Sequence, residues 1–211
     1  MLICPLSDTS LRRSVIIHDK QGGFLSNISK MLSGGDLRSD GMANEVVRLV
    51  HENPFLVNEL IEGMTTKDDV VRHRSADVLE KLTRDHPEYM QSEVDFIIRL
   101  ALNDPVPMVR WHAAMILTNL LTIVNNGDEI YHGLITILDD QSAIVKCWAI
   151  SGLCLIERKY PSKNKHILRR LSKLETDTSI AVRHQAATAM KVLLNNHLPM
   201  PGGWIKSQRR E

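Results

Sequence analysis

The sequence predicts an all-α protein, an α-α superhelix (solenoid) of about four to five stacked helix pairs. Three observations carry this. Apolar residues make up 43% of the 211 residues but aromatics only 4%, so Leu, Ile, Val, Ala and Met supply the core, a palette that favours helices over a sandwich or barrel. A short unit recurs as Asp104-PVPM-Val109-Arg110, Asp140-QSAI-Val145-Lys146 and Asp177-TSIA-Val182-Arg183, at offsets of 36 and 37 residues. Each copy is flanked by two amphipathic runs. Self-similarity at such a period is the signature of a repeat architecture, in which each unit buries its apolar face only against its neighbours.

The elements follow in chain order. Residues 1–23 form an N-terminal cap or flexible segment, with a capping helix expected around residues 10–17. The solenoid spans residues 24–197. Its first pair, FLSNISKML (24–32) and GMANEVVRLVHEN (41–53), is degenerate. The second joins PFLVNELIEGM (54–64) to VVRHRSADVLEKL (70–82), where Val71-Arg72 repeats the basic anchor. The remaining first helices are EVDFIIRLALN (93–103), DEIYHGLITILD (128–139) and KHILRRLSKLET (165–176), each followed by an Asp and a second helix.

Within the second helices, small residues fall three or four positions after the anchor (Ser75 and Ala76, Ala113 and Ala114, Ala149, Ala186 and Ala187). Large apolar residues follow at seven (Leu79, Leu117, Leu153, Met190) and ten (Leu82, Leu120, Ile156, Leu193). That spacing draws one buried face, with small residues where helices approach closely. Pro105, Pro107, Ser142 and Ser179 stand where the second helices begin, as first-turn Pro and capping Ser should. Beyond Leu198 the tail LPMPGGWIKSQRRE (198–211) cannot continue a helix through its Pro and Gly; it either covers the last apolar face with Leu198 and Trp204 or binds elsewhere.

A formal net charge of +1 gives no global case for nucleic acid, which needs a basic surface. The charge is uneven, because residues 150–211 hold 12 Lys and Arg against 4 Asp and Glu. Cys4, Cys147 and Cys154 are odd in number and lack metal-ligand spacing, so no disulfide framework, metal or cofactor is expected and a reduced cytoplasmic setting fits. No stretch reaches the roughly 18 apolar residues of a membrane span, and the Asn27-Ile28-Ser29 triplet reads as a chance glycosylation match.

A period near 37 residues, paired helices, and an Asp six residues before a Val-preceded Arg or Lys resemble HEAT repeats, well over residues 54–196 and poorly over 24–53. The resemblance implies that Asp104, Asp140 and Asp177 with Arg110, Lys146 and Arg183 form a structural ladder along the stack. Lys146 departs from Arg and lacks the planar fork. It also implies that the second helices line a concave groove.

Counting about 100° per residue, the positions one, two, five, eight and nine after each anchor point away from the buried face. These are His73, Arg74, Asp77, Glu80 and Lys81; Trp111, His112, Met115, Thr118 and Asn119; Cys147, Trp148, Ser151, Cys154 and Leu155; and His184, Gln185, Thr188, Lys191 and Val192. The binding reading centres on Trp111, His112, Met115, Trp148, Ser151 and His184, since exposed Trp beside Met suits a partner's side chain. A second candidate is the basic cluster His166, Arg169, Arg170 and Lys173 on the outer helices.

No HExxH, GxSxG, GxxxxGK[ST] or GxGxxG stands in the chain, and no catalytic residue is assigned. The resemblance extends to HEAT-like alkylpurine DNA glycosylases, whose pattern places an Asp one turn after a concave Trp. Here Met115 follows Trp111, and Trp148 stands where such an enzyme presents Arg, so a cationic transition state lacks its counter-charge. HEAT-like bilin lyases are a further alternative by fold analogy alone. The expected function is therefore a non-catalytic scaffold binding a protein or peptide segment, with nucleic acid a lesser alternative and no membrane.

Overall fold

In the computed structural model the described residues are 17–18, 24–25, 27–195 and 197–207. Ten helices follow one another: α1 Asn27–Leu32, α2 Ala43–Glu52, α3 Val57–Gly63, α4 Asp69–Thr83, α5 Val94–Asn103, α6 Pro107–Leu120, α7 Asp128–Ile137, α8 Ala143–Lys159, α9 Asn164–Lys173 and α10 Ile180–Leu194. They make five pairs. The degenerate first pair forms as two short helices. Ahead of it lies a two-residue antiparallel backbone pairing of Ile17 with Leu25 and His18 with Phe24. A capping helix reaching Ile17 is therefore corrected at its last residue, which is extended; the rest of that segment lies outside the described residues.

The second helices form one layer, α2 packing on α4, α4 on α6, α6 on α8 and α8 on α10, with α5 on α7 behind them. The small and large residues of the repeat meet in this layer. Ala76, Ala113, Ala149 and Ala186 are fully buried, as are Leu79, Leu117, Leu153, Leu82, Leu120 and Ile156. Each such Leu or Ile contributes about 1.5–3 kcal/mol relative to exposure. Gly152 marks a close approach: a Cβ there would stand 2.6 Å from Thr118 Oγ1 and 2.8 Å from Leu134 Cδ1.

Helix starts differ in detail from the expectation. Pro107 opens α6 and Ser179 caps α10, its Oγ accepting from Val182 N–H at 3.5 Å. Ser142 makes no side-chain cap. Instead Asp140 accepts from Ser142 N–H at 2.6 Å, Asp104 from Val106 N–H at 2.8 Å and Asp177 from Ser179 N–H at 2.8 Å. A carboxylate two residues upstream thus closes the turn that leads into each of these helices. Three first helices are led in by a single 3₁₀ segment that begins with Pro54, Pro87 or Pro161, where proline's fixed φ suits a first turn.

Candidate binding groove

The repeated Asp and basic residues join successive pairs. Arg72 Nε donates to Asp104 Oδ2 at 3.0 Å. Arg110 donates from Nε and Nη2 to the two oxygens of Asp140, at 2.7 and 3.0 Å. Lys146 Nζ donates to Asp177 Oδ2, a single contact where Arg110 makes a fork. Burial pushes the Asp177 carboxyl up, but the Lys146 and Ser179 hydrogen bonds and the Lys146 charge outweigh it and hold it below the usual range. Each Arg also donates to a carbonyl of its own turn: Arg72 to Thr66 at 3.0 Å, Arg110 to Asp104 at 2.8 Å and Arg183 to Asp177 at 2.6 Å. One carboxylate therefore holds the turn that leads into its own second helix and binds the preceding pair.

The face expected to be open is mostly closed. Met115 is 6% exposed and Ser151 fully buried, and His112, Thr118, Asn119 and Cys154 are buried as well. In α4, His73, Arg74, Asp77 and Glu80 are buried, leaving Lys81 partly open. The physical reason is the layer itself. A second helix has a sister on each side, so its flanks are covered along with its inner face. What stays part-open on α6 and α8 is Trp111, Cys147, Trp148 and Leu155, all packed against the core at their bases. On α10, which has a sister on one side only, His184 and Lys191 are exposed and Gln185 and Thr188 half-buried.

Several of these polar residues are hydrogen-bonded within the fold, although His73 Nδ1 and Ser75 Oγ are buried without a partner. Arg74 leaves the groove and donates to the carbonyls of Leu32, Ser33, Gly34, Asp36 and Ser39 in the α1–α2 loop, at 2.8 to 3.3 Å. Asp77 accepts from Lys81 at 2.8 Å, and Lys81 also reaches Asn44 Oδ1 at 2.8 Å. Glu80 holds Arg84 through both its oxygens. Gln185 donates to the Cys147 carbonyl at 2.8 Å and to Ser151 Oγ at 2.9 Å.

His112 stacks on His73 with ring centroids 5.3 Å apart, and its Nδ1 lies 2.9 Å from the Met108 carbonyl. Burial, reinforced by His73, lowers His112 to about 3. Burial also lowers His73. The 3.5 Å gap from His112 Nε2 to Asp77 Oδ1 is long for an ion pair, and Asp77 is already engaged by Lys81. Burial prevails, and His112 is neutral near pH 7. Burial likewise pushes the Cys147 thiol up and Cys154 to about 12, so neither is a poised nucleophile.

The outer basic cluster is partly consumed. Arg170 donates to both oxygens of Asp139 at 2.8 Å, and His166 Nδ1 meets the Tyr131 hydroxyl. Only Arg169 and Lys173 are fully exposed. Two shallow clefts, of about 290 and 650 Å³, lie beside α5 and α7 and at the turns around Pro105 and Gln141; neither includes Trp111 or Trp148. No described helix is long and apolar enough to cross a membrane.

The tail returns over the layer. Trp204 N–H closes a turn onto the Pro201 carbonyl at 3.2 Å, with Gly203 at φ +80°, a conformation that glycine adopts without strain. Arg158, at the end of α8, donates to the Leu198 carbonyl. Met200 and Trp204 pack on the core. Lys206 Nζ sits 5.7 Å from the Trp148 ring centroid, and Ser207 Oγ donates to the Arg84 carbonyl, just past α4, at 3.0 Å. Of the two residues expected to cover the last apolar face, Trp204 packs on the core while Leu198 is 41% exposed; the sequence did not indicate that the tail would reach α4.

No family model and no curated protein matches the chain. Among solved structures, an engineered protein from the Northeast Structural Genomics Consortium is similar over 79% of this chain and 78% of its own, with a TM-score of 0.55 and 18% identity. The MAST/Orbit N-terminal domain is similar over 82% and 84%, with a TM-score of 0.49 and 16% identity. The likeness to the engineered protein is one of fold.

Proposed function

We propose that this helical solenoid is a non-catalytic scaffold of HEAT type that binds a protein segment along its second-helix layer. One observation carries the reading. Trp111 and Trp148, on adjacent inner helices, keep part of their surface open in a layer where most of the positions around them, Met115 and Ser151 among them, are buried. Part-open Trp residues on rigid helices are suited to anchor a partner's side chain. The open strip is narrower than the sequence implied, since Met115, His112 and Ser151 are buried.

A catalytic reading gains nothing from the geometry. Asp77, a carboxylate on the neighbouring α4, is buried and held by Lys81. Cation-driven nucleic-acid binding is likewise weakened, since Arg72, Arg84, Arg110 and Arg170 are each engaged by a carboxylate, leaving fewer groups for phosphates.

The test is affinity capture by wild type and by a Trp111→Ala/Trp148→Ala variant confirmed helical by circular dichroism, with eluates read by mass spectrometry. A protein retained by wild type and lost by the variant supports the reading. Equal recovery refutes it, and nucleic acid in the eluate would favour the nucleic-acid alternative.

A further inference from the structure

The segment 198–207 leaves α10, passes the end of α8 at Arg158 and ends at the carbonyl of Arg84 beyond α4. Because α4, α6, α8 and α10 stack in that order, these two anchors stand on either side of α6. With helices about 8–10 Å apart, two spacings require about 20 Å, well within the reach of nine residues at about 3.3 Å each.

We propose that residues 198–207 are the built-in occupant of the groove, and that a partner segment gains the groove only by displacing them. The proposal rests on the reading of the second-helix layer as a binding surface and adds its regulation and the chemistry of its ligand. The tail's attachments suit an occupant that exchanges. It has no helix or strand; Gly202 is exposed and touches nothing around its Cα, and the proline residues bar helical continuation. Its anchors are discrete. Trp204 packs on the core, Lys206 lies over the Trp148 ring, and Ser207 bonds a carbonyl at the end of α4.

Lys206 defines what the groove selects. An ammonium over an indole face is attracted by the ring quadrupole, and the indole concerned is one of the two that the groove leaves part-open. The competing ligand is therefore an extended protein segment with an aromatic residue two positions before a Lys, as in Trp204-Ile205-Lys206.

A fluorescein-labelled peptide of residues 198–211 tests this by anisotropy against full-length wild type and full-length Trp204→Ala/Lys206→Glu, with helicity checked by circular dichroism. The variant should bind the peptide at least tenfold more tightly than wild type, because its own tail no longer competes. Equal binding by both overturns the displacement while leaving the groove as a binding surface. No binding by either overturns tail recognition outright, whereas the scaffold reading stands or falls on the capture experiment.

Hydrogen exchange of full-length Trp148→Ala gives a second readout. Backbone amides of 204–207 should exchange at least fivefold faster than in wild type while those of α4 and α6 are unchanged. Unchanged exchange in the tail would also overturn the proposal.

Discussion

Arg110 and Asp140 join the third helix pair to the fourth through two parallel hydrogen bonds of 2.7 and 3.0 Å, with both side chains nearly buried. The Arg110 fork is filled from two sides, because Nη1 donates to the Asp104 carbonyl of its own turn. Asp140 is doubly used as well, since it also receives Ser142 N–H. Truncating either partner should cost about 2–4 kcal/mol, because the other charge stays buried without its mate. Urea unfolding of Arg110→Ala, Asp140→Ala and the double variant forms a cycle, and a coupling of about 1–3 kcal/mol is expected. Additive losses would show that the rung is incidental to stability.

Arg74 is the second structural hub. Four loop carbonyls and that of Leu32 at the end of α1 accept from one guanidinium, and no regular element of residues 33–42 satisfies the loop carbonyls instead. Gly41 lies against the same group at φ +52°, where a Cβ would stand 2.7 Å from Arg74 Cζ. Arg74→Lys should destabilise by about 1–3 kcal/mol, since an ammonium cannot reach so many acceptors at once. Its mark would be faster hydrogen exchange at 33–42 with α6 to α10 unaltered; a uniform change across the chain would contradict this local role.

What the sequence made legible follows from periodicity. The spacing of Ala113, Leu117 and Leu120 encodes a face, and the recurrence of Asp140 and Asp177 encodes a turn, so four helix pairs and their order could be read directly, and the degenerate first pair only weakly. Helical phase, however, only says which positions point away from the core of a lone pair. It does not say that α4 and α8 flank α6, which is what buries His112, Met115 and Asn119. Arg74 was placed in the groove for the same reason, since a long side chain leaves its helical position by several ångströms to find acceptors. The tail carried no period at all, so its path over Trp148 had no signal beyond the inability of its Pro and Gly to continue α10.

Gly152 gives a sharp packing test. Its neighbours are Thr118 Oγ1 on α6 and Leu134 Cδ1 on α7. In an exposed helix, Gly→Ala would stabilise by roughly 0.5–1 kcal/mol. Here the added methyl meets both atoms well inside contact distance, so overpacking wins and Gly152→Ala should cost about 1–3 kcal/mol. Thr118→Ala, which removes the nearer atom, should restore part of that loss in the double variant. A Gly152→Ala protein that melts at or above the wild-type temperature would refute the close approach.

His112 sets the acid limb of stability. Burial lowers it from 6.5 to about 3 in the folded chain, whereas the unfolded ring titrates near 6.5. The unfolded state therefore binds the extra proton as pH falls, and stability drops in the acid direction. The contribution is fully present above about pH 6.5 and is lost progressively as pH falls toward about 3, with a limiting slope of about 1.4 kcal/mol per pH unit. Between pH 7 and pH 5 this one ring should remove about 2 kcal/mol. His73, shifted the same way, steepens the limb. His112→Gln keeps an amide donor for the Met108 carbonyl but takes no proton, so its unfolding free energy should fall less steeply over the same range. Urea midpoints at pH 7, 6 and 5 decide the matter: parallel pH profiles for wild type and His112→Gln would mean that the ring is protonated within the fold and that Asp77, at 3.5 Å, holds it after all.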